Sequence, residues 1–120
     1  MNGYQVGQRG ERPWGSWEII AVGPGYAVKR IVVRPGQRLS LQRHRFRAEH
    51  WIVAGGTAQV TRGEATFPAA AGEHVAIGRG EVHRVANVGV EDVVFIEVQH
   101  GERLEEDDIE RLQDDYGRMP

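Results

Sequence analysis

The sequence predicts an all-β domain, a sandwich or barrel of nine short strands followed by one short helix, on three observations. Nine β-like runs recur between residues 17 and 99, at the spacing of about 8 to 12 residues usual for such folds. Turns bearing Gly or Pro separate them, and the 16 glycines among 120 residues suit many tight turns better than long helices. Nothing between the runs is long enough for the crossover helix that parallel neighbours require.

Residues 1–16, "MNGYQVGQRGERPWGS", mix Gly, Arg and Pro without a period and are expected to form an N-terminal arm, its end anchored by Trp14 and Trp17. The strands then follow in order: "WEIIAV" (17–22), "YAVKRIVV" (26–33), "LSLQRH" (39–44), "EHWIVAG" (49–55), "AQVTR" (58–62), "EATFP" (64–68), "EHVAI" (73–77), "VHRVAN" (82–87) and "EDVVFIEVQ" (91–99). Most are rich in β-branched or aromatic residues and end at a turn signal such as "GPG", "RPGQ" or "AGGT". Residues 17–100 are therefore expected to form the β unit. In the tail, 101–120, Leu104, Ile109, Leu112 and Tyr116 stand at roughly helical intervals, which predicts a short acidic helix laid on the strands.

Composition narrows the chemistry. There is no Cys, so disulfides, thiolate nucleophiles and thiolate metal sites drop out together, and any metal must be held by His and oxygen ligands. No apolar run approaches the roughly 18 to 20 residues that span a bilayer, and no leader-like segment opens the sequence. The chain is expected to be unprocessed and cytoplasmic, with no membrane partner. The net charge is -2, but the eight carboxylates of residues 101–120 face only Arg103, Arg111 and Arg118. The basic residues elsewhere are dispersed, nearly all Arg with Lys29 the one lysine, which does not make a nucleic-acid footprint. Arg side chains facing a pocket would favour a small anionic ligand such as a sugar phosphate.

The stretch "QRHRFRAEHW" (42–51) carries the chemistry. A period of two puts Gln42 and His44 on one strand face, with Phe46 next along. Glu49, Trp51 and Val53 share a face of the neighbouring strand, and His83 follows the turn "GRGEV" as a fourth candidate. Two imidazoles, a carboxylate and an amide oxygen suit a divalent ion, Zn first, with Mn, Fe, Co or Ni as alternatives. Gln is a weak neutral donor and would leave the ion strongly Lewis acidic.

These residues also carry a resemblance. Gly36, Gln42, His44, Glu49 and Gly56 match the spacing of the first motif of the cupin superfamily, with Gln42 where a His usually stands. Gly72, Gly78, Gly80, His83 and Asn87 match the second, with Gly78 where Pro is usual. The sequence is identified as a member of this superfamily, which implies a single-domain jelly-roll barrel, the double-stranded β-helix, with metal ligands Gln42, His44, Glu49 and His83. "RPWGSWEII", "YAVKRIVVRPGQRLSLQRH", "RAEHWIVAGGTAQVTRG" and "EEDDIERLQDDYGR" further resemble the C-terminal isomerase domain of type II phosphomannose isomerase and mannose-1-phosphate guanylyltransferase enzymes.

That resemblance implies metal-dependent interconversion of mannose 6-phosphate and fructose 6-phosphate through an enediol, and a homodimer joined through edge strands and the N-terminal segment. The alternative is a non-catalytic sugar or sugar-phosphate binding protein, favoured by Phe46, which stands where the family has a second His. Glu81, Lys29 and Arg84 are the catalytic candidates, with Glu49, His50 and His74 also open as the base. Arg43, Arg47, Arg84 and Lys29 are candidates to clamp a phosphate, and Phe46 and Trp51 to line the sugar face. His50 is expected to point away from Glu49, and His74 and His100 read as structural.

Overall fold

A computed structural model describes residues 2–119. Their strands are β1 (Arg9–Arg12), β2 (Gly15–Gly23), β3 (Tyr26–Val33), β4 (Leu41–Arg43), β5 (Arg47–Gly55), β6 (Thr57–Arg62), β7 (Ala65–Ala70), β8 (His74–Ile77), β9 (His83–Ala86), β10 (Val93–Gly101) and β11 (Glu110–Gln113). They form two antiparallel sheets, one ordered β1-β2-β3-β10-β5-β8 and the other β11-β4-β9-β6-β7. The nine runs of the sequence all appear as strands, β2 to β10. β1 lies within the segment 1–16 and β11 within the tail.

Two expectations are corrected. No helix occurs among the described residues; the tail instead contributes β11, which pairs with β4 through Glu110↔Arg43 and Arg111↔Gln42. β4 is three residues long and meets β9 through the single pair Gln42↔His83, so its other edge holds backbone groups that need partners. Supplying them decides the tail's conformation, which local helical spacing cannot. Nor do the sheets close into a barrel: β1 and β8 edge one, β11 and β7 the other. Pro68 within β7 has no N–H to extend a ladder and suits an edge.

The inward face of the large sheet explains where a site can form. β3, β10 and β5 are centrally paired, and their alternation turns Ala27, Lys29, Ile31 and Val33, then Val93, Phe95, Glu97 and Gln99, then Arg47, Glu49, Trp51 and Val53 toward the other sheet. The register sorts them into rows. Phe95 lies between Ile31 and Val53, Glu97 between Lys29 and Trp51, and Gln99 between Ala27 and Glu49. One end of the sandwich is thus an apolar core, completed by Val60, Val75 and Val85, where a fully buried side chain the size of Phe95 contributes about 2 to 3 kcal/mol. The other end is buried and polar.

Glycine is required where the backbone doubles back. Gly56 joins β5 to β6 at φ 71°, and a Cβ there would stand 2.6 Å from the Asp92 carbonyl oxygen. Gly101 ends β10 against Arg47, where a Cβ would meet the Phe46 carbonyl oxygen at 2.2 Å.

Candidate metal centre

His44 follows β4, Glu49 projects inward from β5, and His83 starts β9; all three are buried. One ligand atom of each lies within 4.8 Å of the other two, so modest side-chain adjustment brings them to one ion, whose ligand atoms stand about 4 Å apart at most. His44 Nε2 is 3.1 Å and His83 Nε2 3.8 Å from the Glu49 carboxylate.

The remote ring nitrogens fix the tautomers. His44 Nδ1 lies 2.7 Å from the Asp108 carbonyl oxygen and His83 Nδ1 2.9 Å from that of Glu81. A carbonyl only accepts, so each Nδ1 carries the proton and each Nε2 turns its lone pair to the Glu49 oxygens. Electron pairs so opposed call for a cation between them, and this donor set fits a divalent metal ion. Electrostatics agree: burial holds His83 below its ordinary pKa, hence neutral. Burial would raise Glu49, but the positive charge beside it, with the Arg47 guanidinium at 3.0 Å, outweighs burial and holds the carboxyl well below its ordinary range.

Gln42 sits opposite His83 in the β4–β9 register. Its amide nitrogen is held by Ser40, 3.3 Å from both the carbonyl and the hydroxyl oxygen, which leaves the amide oxygen as the end suited to a metal. Arg47 is equally buried: Nε donates to Glu49 Oε2 at 3.0 Å and one terminal nitrogen to His44 Nε2 at 3.5 Å. Trp51 Nε1 donates to Glu49 Oε1 and Glu97 Oε1, each at 3.1 Å.

A cavity of about 110 Å³ contains this group, and Gln42, Lys29, Arg47, Trp51 and Glu97 line it too. The other residues singled out from sequence lie elsewhere. The Glu81 carboxylate accepts the Gly78 N–H at 3.0 Å. Arg84 Nε donates to the Leu39 carbonyl at 2.9 Å and Arg43 pairs with Glu110 at 2.9 Å. Phe46 lines an outer cavity of about 580 Å³, with the guanidinium groups of Arg45 and Arg103 at 5.2 and 4.8 Å from its ring centre. His50 and His74 meet at 3.0 Å on the exposed face.

Sequence reasoning missed Glu97, Gln99, Asp108 and Glu106. For Glu97 and Gln99 the signal was present: "VVFIEVQ" puts them in phase with inward Val93 and Phe95, and charge at an inward strand position demands a partner. Asp108 and Glu106 carried no such signal, because their contacts are with residues about 60 or more positions away.

A family model described as mannose-6-phosphate isomerase C-terminal matches residues 2–114. Over 107 residues the chain is 53% identical to the alginate biosynthesis protein AlgA of Pseudomonas aeruginosa, covering 89% of this chain and 22% of that protein. It is 42% identical over 116 residues to the mannose-1-phosphate guanylyltransferase RfbM of Salmonella typhimurium, covering 97% and 24%. The chain thus spans roughly a quarter or less of the length of these curated relatives. Among solved structures, a conserved protein with a double-stranded β-helix domain from Klebsiella pneumoniae superposes with TM-score 0.70 at 20% identity, over 81% of this chain and 78% of that one.

Proposed function

The chain belongs to the mannose-6-phosphate isomerase C-terminal family, and from that premise we propose that it is a metal-dependent isomerase interconverting mannose 6-phosphate and fructose 6-phosphate. The observation that supports this reading best is the pairing, in one cavity, of a three-residue metal-type group with a buried cation, Lys29. Aldose and ketose phosphates interconvert by moving a proton between neighbouring carbons while negative charge develops on the adjoining oxygens. When bound, a divalent ion supplies Lewis-acid stabilisation of that charge. Gln42, His44, Glu49 and His83 are the residues that would hold it, Zn first, with Mn, Fe, Co or Ni as alternatives.

The chain's own groups do the rest. Arg47 and the Trp51 indole orient Glu49, and the carbonyls of Asp108 and Glu81 orient the two imidazoles. Trp51 and Phe95, with rings 5.3 Å apart, give the cavity an apolar wall that excludes water. Glu97 is a cavity group able to carry a proton to or from a sugar carbon or oxygen. The open edge of β1 supports a homodimer through the N-terminal segment, which the molar mass in solution, measured by light scattering, would check.

The test is a coupled assay for fructose 6-phosphate formation from mannose 6-phosphate, on metal-analysed protein. Turnover of about 1 per second or more, lost in His44→Ala and regained when one divalent metal is returned to chelated wild type, is expected. A fully metallated protein without turnover would sink the isomerase. One observation favours the second reading, a binding protein without catalysis: the cavity is about 110 Å³, against about 300 Å³ or more for common small-molecule sites.

A further inference from the structure

Cations gather around Glu106 where it lines the cavity. Lys29, on β3, is buried against the rings of Trp17 and Tyr4, 4.5 and 5.1 Å from its ammonium. It pairs with Glu106 at 2.6 Å, and the Tyr4 hydroxyl donates to the same carboxylate oxygen. Arg12 stands 3.9 Å from the other. Arg111 lines the same cavity, and its buried Nε has no hydrogen-bond partner, a state that calls for an acceptor. Burial, Arg118 and Arg12 together hold the Arg111 pKa below its ordinary value, as crowding among cations does. Arg118 itself is committed to Asp114 and Arg47 to Glu49.

Glu106 comes from a strap, residues 105–109, fastened across the site. The Glu105 carbonyl accepts from Arg47 at 3.2 Å, the Asp108 carbonyl accepts from His44, and the Asp108 carboxylate accepts the backbone N–H of Arg45 and Phe46. The inner cavity and the outer one share only His44 and Ile109 as lining residues, so the strap stands between them.

We propose that Lys29, Arg12 and Arg111 form the subsite for the phosphate monoester of the sugar substrate, and that Glu106 is a carboxylate latch which that phosphate displaces. This rests on the sugar-phosphate reading above and extends it. A phosphate dianion offers more charge and more acceptor oxygens than one carboxylate, and so satisfies Arg111 as well as Lys29. Displacing the Glu106 side chain alone also enlarges the inner cavity at that end, while Asp108 keeps its hold on His44 and on the turn at Arg45 and Phe46.

The experiment measures binding of inorganic phosphate to chelator-treated protein, followed by tryptophan fluorescence, since Trp17 adjoins Lys29, and by calorimetry. Glu106→Gln is expected to bind phosphate roughly tenfold or more tightly than wild type, because a like charge has left the subsite. Lys29→Met added to Glu106→Gln is expected to abolish that gain, and mannose 6-phosphate to compete for the same site. Arg111→Gln, on a partly exposed residue, is expected to weaken binding about fivefold or more in the wild-type background. Cooperative unfolding and uptake of one zinc ion check that each variant is folded. Equal phosphate affinity in wild type and Glu106→Gln, undiminished affinity in the double variant, or no effect of Arg111→Gln would each overturn the subsite. Because phosphate binding is read without metal or turnover, an inactive protein with an intact phosphate response retains the subsite and loses only the isomerase. An active protein without that response loses only the subsite.

Discussion

Glu49 and Glu97 share one donor: the indole N–H of Trp51 stands 3.1 Å from an oxygen of each. Two buried carboxylates so placed do not both stay charged. The Arg47 guanidinium keeps Glu49 ionised, while burial first and Glu49 second push Glu97 up to about 8. Gln99 completes the arrangement. Its amide nitrogen donates to Glu97 at 2.9 Å while its buried oxygen has no donor, and turning that amide lets a protonated Glu97 supply one.

Glu97→Gln tests this as a stability difference. A carboxyl whose folded pKa lies above its unfolded value binds more protons folded than unfolded, so its contribution is lost as pH rises from about 4.5 through about 8. Gln mimics the protonated form. Denaturant unfolding of chelated proteins should show wild type and variant alike near pH 4.5, with wild type falling behind by up to about 1.4 kcal/mol per pH unit above that. Parallel profiles would mean that Glu97 is ionised throughout.

Metal affinity should follow the geometry at the centre. His44→Ala and His83→Ala each remove a lone pair aimed at Glu49 and are expected to weaken divalent-metal binding about a hundredfold or more. Gln42→Ala, losing a weak neutral donor, should cost about tenfold. Competition against a chromophoric chelator measures all three, and a His44→Ala protein with wild-type affinity would remove His44 from the ligand set.

Metal removal should also loosen the fold. Each ligand comes from a different strand or its flank, so an ion binds the native state and not the unfolded chain. With free metal about a thousandfold above its Kd, the stabilisation is about 4 kcal/mol, read as a fall in Tm on chelation. An unchanged Tm would place the bound metal elsewhere.

Asp108→Ala should act on stability and site together. Its carboxylate accepts the N–H groups of Arg45 at 2.9 Å and Phe46 at 3.0 Å, in the turn that leads from His44 to β5. Losing both acceptors is expected to cost about 1 to 3 kcal/mol and to weaken metal binding through the loosened His44. Asp108→Asn, which keeps one acceptor oxygen, should recover part of each loss, and urea unfolding with chelator competition reads both.

Phe95→Ala removes the centre of the apolar row between Ile31 and Val53, against the Trp51 ring. The cavity left behind should cost about 3 to 5 kcal/mol in unfolding free energy.

The metal-type residues were legible in the sequence because each is announced by strand period and motif spacing. Gln42 precedes His44 by two, Glu49 belongs to the inward series that Trp51 and Val53 continue, and His83 follows a glycine turn. The family likeness was legible from the same residues. The tail was misread for a physical reason: Leu104, Ile109 and Leu112 are spaced as a helix would space them, yet only Leu104 is deeply buried, and Leu112 is 38% exposed.

What the sequence determined by itself was therefore the local part: which residues alternate onto one strand face, where the chain turns, and which donors suit a divalent ion. Tertiary structure alone decided that Glu106 and Arg111 reach the cavity from the tail, that Glu97 shares a donor with Glu49, and that Glu81, Arg84, Arg43 and Phe46 lie outside the inner cavity. Alternation is written into each strand by backbone geometry. Which strand faces which, and in what register, is fixed only when distant segments pair and pack, and no local pattern encodes it.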